Sequence, residues 1–243
     1  MIDTHAHVLA EYYDDLEQDI RNICKEVALV INSGFNDESS KEVVSIANQY
    51  NQFFATVGIH PNDTGDFKII EDLAKNKKVV AIGETGLDYH WNPEMKEEQK
   101  ALFRKHIELA IKLNKPIVVH SRDAVADTIQ ILKEYPDAKG VIHCFSGSLE
   151  VARQYIKMGY KLGIGGVITF PNAGLSEVIK EIPLHNIVVE TDCPYLAPVP
   201  YRGKKNYPQY VKFIYEKLAE IHEKSIDEVE QVIAANVRQL FDI

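Results

Sequence analysis

Cysteine is scarce in this sequence: of 243 residues only Cys24, Cys144 and Cys193 carry a thiol, and none of them has the CxxC spacing of a zinc or redox motif. An odd, scattered set excludes a disulfide-stapled scaffold and suits a reducing compartment, each thiol serving as a small buried apolar side chain. Positive charge is also in deficit, with 27 Lys and Arg against 36 Asp and Glu and a formal net charge of -9. That balance excludes broad coating of duplex DNA, which rests on a basic surface. It leaves room for a site that gathers a phosphate through bound cations and a few local basic residues. No apolar run approaches membrane-spanning length, so no membrane association is expected. At the amino terminus Asp3 and His5 stand where a secretory signal would carry a basic patch and an apolar core, which makes a cytoplasmic protein the expectation. Linker-like Pro, Gly or Ser stretches, charge blocks and low-complexity segments are missing too. Residues 1–243, 45% hydrophobic, are therefore expected to form one domain with a single large core.

What the chain does have is a rhythm. Short β-branched runs alternate with longer segments of helical period, the pattern of a parallel sheet with crossover helices. The strands are expected near 1–5, 27–31, 53–59, 78–83, 116–119, 140–143, 160–165 and 187–191, and the helices near 11–25, 38–51, 66–76, 94–113, 123–134, 148–158 and 173–181. A final double helical stretch is expected near 207–223 and 225–240, its second part opening at Ser225 with Glu228 three residues on, as in a capping box. Eight such units predict an α/β fold, the (β/α)8 TIM barrel, whose active sites lie at the carboxyl ends of the strands.

Six apolar runs end there on a candidate metal ligand: His5 and His7, His60, Glu84, His120, His143 and Asp192. Side chains two apart on an extended strand share a face, so His5 and His7 can bind one ion, although a lone HxH is usually surface or core histidine. A carboxylate such as Glu84 can bridge two cations through its two oxygens, and His120 and His143, from consecutive strands, can clasp the second ion with it. Asp192 closes the ring beside His5 and His7 and is the best candidate to receive a proton from an attacking water. Imidazoles and carboxylates suit Zn, Mg or Mn, and no thiolate is placed to narrow the choice. Two divalent cations against two ligand carboxylates would leave about two positive charges, a site that attracts an anion. His60 has no place in either ligand set and is read as a donor to a bound phosphate, with a structural histidine as the alternative.

The motifs Asp3-Thr4-His5-Ala6-His7, Gly58-Ile59-His60-Pro61, Gly83-Glu84-Thr85-Gly86-Leu87-Asp88-Tyr89, His120-Ser121-Arg122-Asp123-Ala124, His143-Cys144-Phe145-Ser146-Gly147, Glu190-Thr191-Asp192-Cys193-Pro194 and Arg202-Gly203-Lys204-Lys205-Asn206 run from Ile2 to Phe241. In combination they resemble the TatD family of metal-dependent deoxyribonucleases. The resemblance implies a barrel hydrolase that cuts DNA phosphodiester bonds, typically as a 3′-to-5′ exonuclease on single-stranded ends. It implies two metal sites built from His5, His7, Glu84, His120, His143 and Asp192, DNA as the partner, and no obligate protein partner.

Arg122 follows a ligand by two residues and can hold a phosphate by a two-pronged hydrogen bond, with pairing to Asp123 or Asp127 as the alternative. Arg202, Lys204 and Lys205 form the one compact basic cluster near a catalytic loop and are assigned to the nucleic-acid strand, with Tyr89, Trp91 and Tyr201 available for base stacking. Gly163, Gly165 and Gly166 lack the GxGxxG spacing and are read as a sharp turn after strand seven. The nearest rivals are an amidohydrolase acting on a cyclic amide, lactone or phosphotriester, a small-molecule phosphoesterase, and a non-catalytic barrel that binds nucleic acid or a partner.

Overall fold

Eight short strands, Ile2–Ala6 (β1), Leu29–Ser33 (β2), Phe53–Val57 (β3), Val79–Asp88 (β4), Ile117–Arg122 (β5), Gly140–Ile142 (β6), Lys161–Ile164 (β7) and Ile187–Val189 (β8), lie side by side in chain order. Every neighbouring pair is parallel. The computed structural model describes residues 1–243 without a gap. The last strand returns to the first just beyond its regular end. Asp192 N–H donates to the His5 carbonyl (2.9 Å) and His7 N–H to the Cys193 carbonyl (2.8 Å), while Thr191 donates from its amide (2.9 Å) and hydroxyl (2.6 Å) to the buried Asp3 carboxylate. The fold is the (β/α)8 barrel that the alternating pattern predicts.

Its strands are covered on both faces, so they read as nearly unbroken Val and Ile, and Val30, Ile31, Val57, Ile82, Val118 and Val188 are fully buried. The helices supply the outer layer: Leu16–Glu26 (α1), Asp37–Gln49 (α2), Phe67–Leu73 (α3), Lys96–Leu113 (α4), Val125–Glu134 (α5), Leu149–Lys157 (α6), Leu175–Lys180 (α7), Val211–Ile221 (α8) and Ile226–Phe241 (α9). Each turns one stripe inward. In α2 the buried Val43, Val44, Ile46 and Ala47 alternate with exposed Lys41, Ser45 and Asn48, the three-to-four spacing of an amphipathic helix. The expected capping box opens α9, with the Ser225 hydroxyl accepting from Glu228 N–H (3.2 Å) and the Glu228 carboxylate from Ser225 N–H (2.9 Å). No helix is long and apolar enough to cross a membrane.

Three boundaries depart from expectation. α1 starts at Leu16 and not near 11, because residues 10–12 form a separate single turn, and α8 starts at Val211 behind a similar turn at Pro208–Tyr210. More consequentially, β4 runs on through Glu84 to Asp88, where a loop was expected after 83. Its polar tail pairs with β5 in the register Thr85 with Val119, Gly86 with His120 and Asp88 with Arg122. Gly86 makes this possible: its φ is +141°, and a Cβ there would lie 2.0 Å from the His120 carbonyl oxygen. The close approach carries the Glu84 side chain up to that of His120.

Candidate metal centre

At the carboxyl ends of the strands a cavity of about 540 Å³ opens to solvent, and His7, Glu84, His120, His143 and Asp192 line it. His5 is buried just beneath. Glu84 stands at the centre with its two oxygens facing different histidine pairs. Oε2 lies 3.3 Å from His5 Nε2 and 3.6 Å from His7 Nε2, while Oε1 lies 2.9 Å from His120 Nδ1 and 3.6 Å from His143 Nε2. Asp192 Oδ1 reaches both sides, 3.5 Å from His7 Nε2 and 3.8 Å from the Nε2 atoms of His5 and His143. Asp192 adopts a φ of +56°, an uncommon backbone for a residue other than glycine, which turns its side chain off the line of β8 and into the mouth.

The outer hydrogen bonds show which face of each ring is available. His7 Nδ1 must donate to the Ser33 carbonyl (2.8 Å), since a carbonyl only accepts, so in the neutral ring its Nε2 carries the lone pair and points inward. His120 meets a carboxylate at each nitrogen, Asp88 Oδ2 from Nε2 (3.1 Å) and Glu84 Oε1 from Nδ1 (2.9 Å), and His143 Nδ1 faces Glu190 Oε1 at 3.1 Å, so in each ring an outer carboxylate can hold the N–H and leave the inward nitrogen to a cation. His5 Nδ1 contacts the Ser33 hydroxyl at 3.2 Å, and its Nε2 comes within 3.2 Å of His7 Nε2. Imidazole nitrogens and carboxylate oxygens this close are held together by positive charge, either protons on the rings or cations between the groups. The donor set therefore fits divalent metal ions of the Zn, Mg or Mn kind.

Electrostatics agree. Burial disfavours a charged His143, yet Glu190, Glu84 and Asp192 outweigh it and push the imidazole up to about 10. Burial likewise opposes an ionised Glu84, and His143, His120 and His5 hold its carboxyl well below the usual carboxylate range. The centre thus stabilises positive charge among its imidazoles. Asp88 and Glu190, both fully buried, raise the count of carboxylates in this centre to four. Two divalent cations here would meet four carboxylates, which would cancel the surplus of two positive charges reckoned from Glu84 and Asp192 alone.

His60 differs from the other four rings. Its Nδ1 accepts the backbone N–H of Asn62 (3.2 Å), which places the proton on Nε2, 3.7 Å from Glu84 Oε1. Burial drops its pKa to about 4, so it offers the cavity a neutral N–H donor. Arg122 also lines the cavity, and neither expected acid claims it: Asp123 pairs with His90 (3.1 Å) and Asp127 with Lys100 (2.9 Å). Its guanidinium lies 5.6 Å from the ring of Trp91, which is 64% exposed.

The basic cluster lies elsewhere. None of Arg202, Lys204 and Lys205 lines the cavity. Lys205 Nζ donates to the Tyr12 carbonyl and packs 4.1 Å over the Tyr13 ring, and Arg202 lies 4.5 Å over Phe170, so both side chains are engaged with neighbouring neutral groups. Of the aromatic trio only Trp91 faces the mouth. Tyr89 donates its hydroxyl to Asp127 (2.7 Å), and Tyr201 stacks flat on Tyr210 at 4.3 Å. Tyr12 and Tyr195, joined hydroxyl to hydroxyl at 3.0 Å, form an aromatic wall that sequence reasoning missed. It missed roles for Asp88 and Glu190 as well, although both belong to the motifs that carry the ligands. Gly163 is no turn residue: a Cβ there would sit 2.3 Å from Glu190 Oε2, so its bareness makes room for that carboxylate.

Residues 2–242 match the family model described as TatD related DNase. The chain is 43% identical to the metal-dependent hydrolase YabD of Bacillus subtilis, an alignment covering 100% of this chain and 99% of that one. It is 35% identical to the metal-dependent hydrolase YcfH of Escherichia coli, over 100% of this chain and 96% of its relative. Among solved structures, the TatD homolog YjjV of Escherichia coli superposes with a TM-score of 0.93 at 29% identity, covering 100% and 98% of the two chains.

Proposed function

The chain belongs to the family of TatD-related DNases, metal-dependent hydrolases, and from that premise we propose that it hydrolyses DNA phosphodiester bonds from single-stranded 3′ ends with two divalent cations at the barrel mouth. The observation that carries the reading is the division of Glu84, one oxygen to His5 and His7 and the other to His120 and His143. Cations held by these residues would supply Lewis acidity toward a phosphoryl oxygen, toward the attacking water and toward the leaving alkoxide. Asp192 accepts the proton of that water on a carboxylate oxygen, the role its position between both histidine pairs allows. The Nε2–H of His60 and the guanidinium of Arg122 bind phosphate oxygens and orient the strand. A base flanking the scissile phosphate stacks on Trp91 or against the Tyr12–Tyr195 wall.

A net negative surface suits a strand end better than a duplex, because a frayed end enters a narrow mouth while a stiff double helix presents a long line of phosphates to like charge. No lysine lines the cavity, so the modified-lysine bridge of the cyclic-amide rival has no candidate among the lining residues. The test is hydrolysis of end-labelled single-stranded and duplex DNA, RNA, a phosphotriester and a dihydropyrimidine, with metal content measured on the same protein. Mononucleotides should leave single strands from the 3′ end, with release abolished by a chelator. Glu84→Gln should lower both metal content and rate, the latter by more than the ~10–100-fold typical of losing an outer partner of a ligand. Turnover of the dihydropyrimidine with inert DNA, or full metal content and rate in Glu84→Gln, would overturn the proposal.

A further inference from the structure

The histidine pairs on either side of Glu84 are braced differently. On one side both rings lean on a single neutral residue: His7 Nδ1 donates to the Ser33 carbonyl (2.8 Å), and His5 Nδ1 meets the Ser33 hydroxyl (3.2 Å). On the other side each ring faces its own buried carboxylate, His120 at Asp88 Oδ2 and His143 at Glu190 Oε1, both 3.1 Å away.

Neither carboxylate is free to move. Asp88 is 1% exposed, its Oδ1 accepting the backbone amides of His90 (2.9 Å) and Trp91 (3.2 Å) and its Oδ2 the Asn62 side-chain amide (3.0 Å). Glu190 is fully buried, accepts the Cys144 backbone N–H, and fills the space left by the missing side chain of Gly163. A carbonyl or hydroxyl fixes the orientation of an imidazole and adds no net charge. A carboxylate fixes it, raises the basicity of the nitrogen across the ring and adds a full negative charge behind it.

We infer that Asp88 and Glu190 are positioning residues that make the two cation subsites unequal, so that the His120–His143 subsite holds its ion tightly while the His5–His7 subsite exchanges. The inference rests on the two-cation reading above. It has a consequence for substrate. With only the tight ion in place, the carboxylates Glu84, Asp88, Glu190 and Asp192 against one divalent cation leave about two negative charges, which repel a phosphodiester. Arrival of the second ion brings the balance to about zero, so the exchangeable ion and the phosphate favour each other's binding, as linkage requires.

Calorimetric titration of the metal-stripped full chain with Mn2+, cross-checked by the paramagnetic resonance of free Mn2+, reads this without reference to activity. Two equivalents should bind at affinities at least ~10-fold apart, and a deoxymononucleotide 5′-phosphate should tighten only the weaker. Glu190→Gln should weaken the tighter equivalent by ~10–100-fold and leave the other within a small factor. Because Glu190 is buried, Asp88→Asn repeats the test independently, its amide oxygen still able to accept the two backbone N–H groups that hold Asp88. Two equivalents of equal affinity, or a tight equivalent indifferent to both substitutions, would overturn the inequality alone. A single equivalent at saturation would overturn the two-cation reading itself, and the inequality with it.

Discussion

Acid should loosen this protein at a histidine that takes no part in the chemistry. His106, fully buried in α4, accepts the backbone N–H of Ile59 on Nε2 (3.1 Å) and donates from Nδ1 to the Leu102 carbonyl (2.9 Å). Burial lowers its pKa from 6.5 to about 4, only partly offset by the bond to Leu102. In the unfolded chain the ring takes up its proton as pH falls through 6.5, and in the folded protein it resists until about 4. The unfolded state therefore binds more protons within that window, and stability is lost as pH falls through it. Some 2.5 pH units at 1.36 kcal/mol each correspond to about 3 kcal/mol, a substantial part of a typical domain's stability. Denaturant unfolding of the metal-stripped protein at several pH values between 4 and 7 measures the effect. His106→Gln, whose side-chain oxygen can still accept from Ile59 but cannot titrate, should be less stable at neutral pH and lose less on acidification, by about that amount. If the two proteins lose stability in parallel across the window, His106 is not the group responsible.

Asp192→Asn keeps an oxygen toward His7 but cannot take a proton, so with metal content largely retained the rate on DNA should fall by ~10²–10⁴-fold; normal turnover across pH with both ions bound would remove Asp192 as the base. Trp91→Ala should raise KM for oligonucleotides by ~5–150-fold, the equivalent of one stacked base, and leave a small phosphodiester unaffected; equal losses on both substrates would point to damage at the metal centre. Arg122→Gln should raise KM for DNA and flatten its salt dependence by about one counterion, whereas Arg202→Gln with Lys204→Gln should change neither appreciably, and the reverse ranking would return the strand to the basic loop.

The fold was legible because its signal is repeated: each buried parallel strand announces itself as a Val- and Ile-rich run, and each covering helix by its three-to-four spacing. β4 was cut short for the opposite reason, since Glu84, Thr85 and Asp88 break the apolar run just where the strand becomes functional. All six candidate ligands stand upon a strand or within three residues of one, so their convergence followed from the topology alone. Arg202, Lys204 and Lys205 follow Asp192 closely in the chain and yet lie outside the cavity lining. Asn206 ties the loop after Asp192 back on itself, its side-chain amide donating to the carbonyls of Thr191 (2.8 Å) and Tyr195 (2.7 Å), which leaves Lys205 against Tyr12 and Tyr13.

Protonation pattern is the part that no spacing rule reaches. His60 and His120 come from similar strand-end motifs and their ring centres lie 4.4 Å apart, yet His60 presents a proton to the cavity on a neutral ring while His120 meets a carboxylate at each nitrogen. The difference lies in what stands behind each ring, a backbone amide for His60 and the Asp88 carboxylate for His120. Glu190 and Asp192 extend the same logic. Two apart in sequence, they approach the same imidazole from different nitrogens, Glu190 at Nδ1 and Asp192 at Nε2 of His143, because the left-handed backbone at Asp192 ends the strand's alternation between them. A donor set read as interchangeable histidines and acids thus separates into groups that hold a cation, groups that tune the holders and one that donates to substrate, and the sorting is done by hydrogen bonds facing away from the cavity.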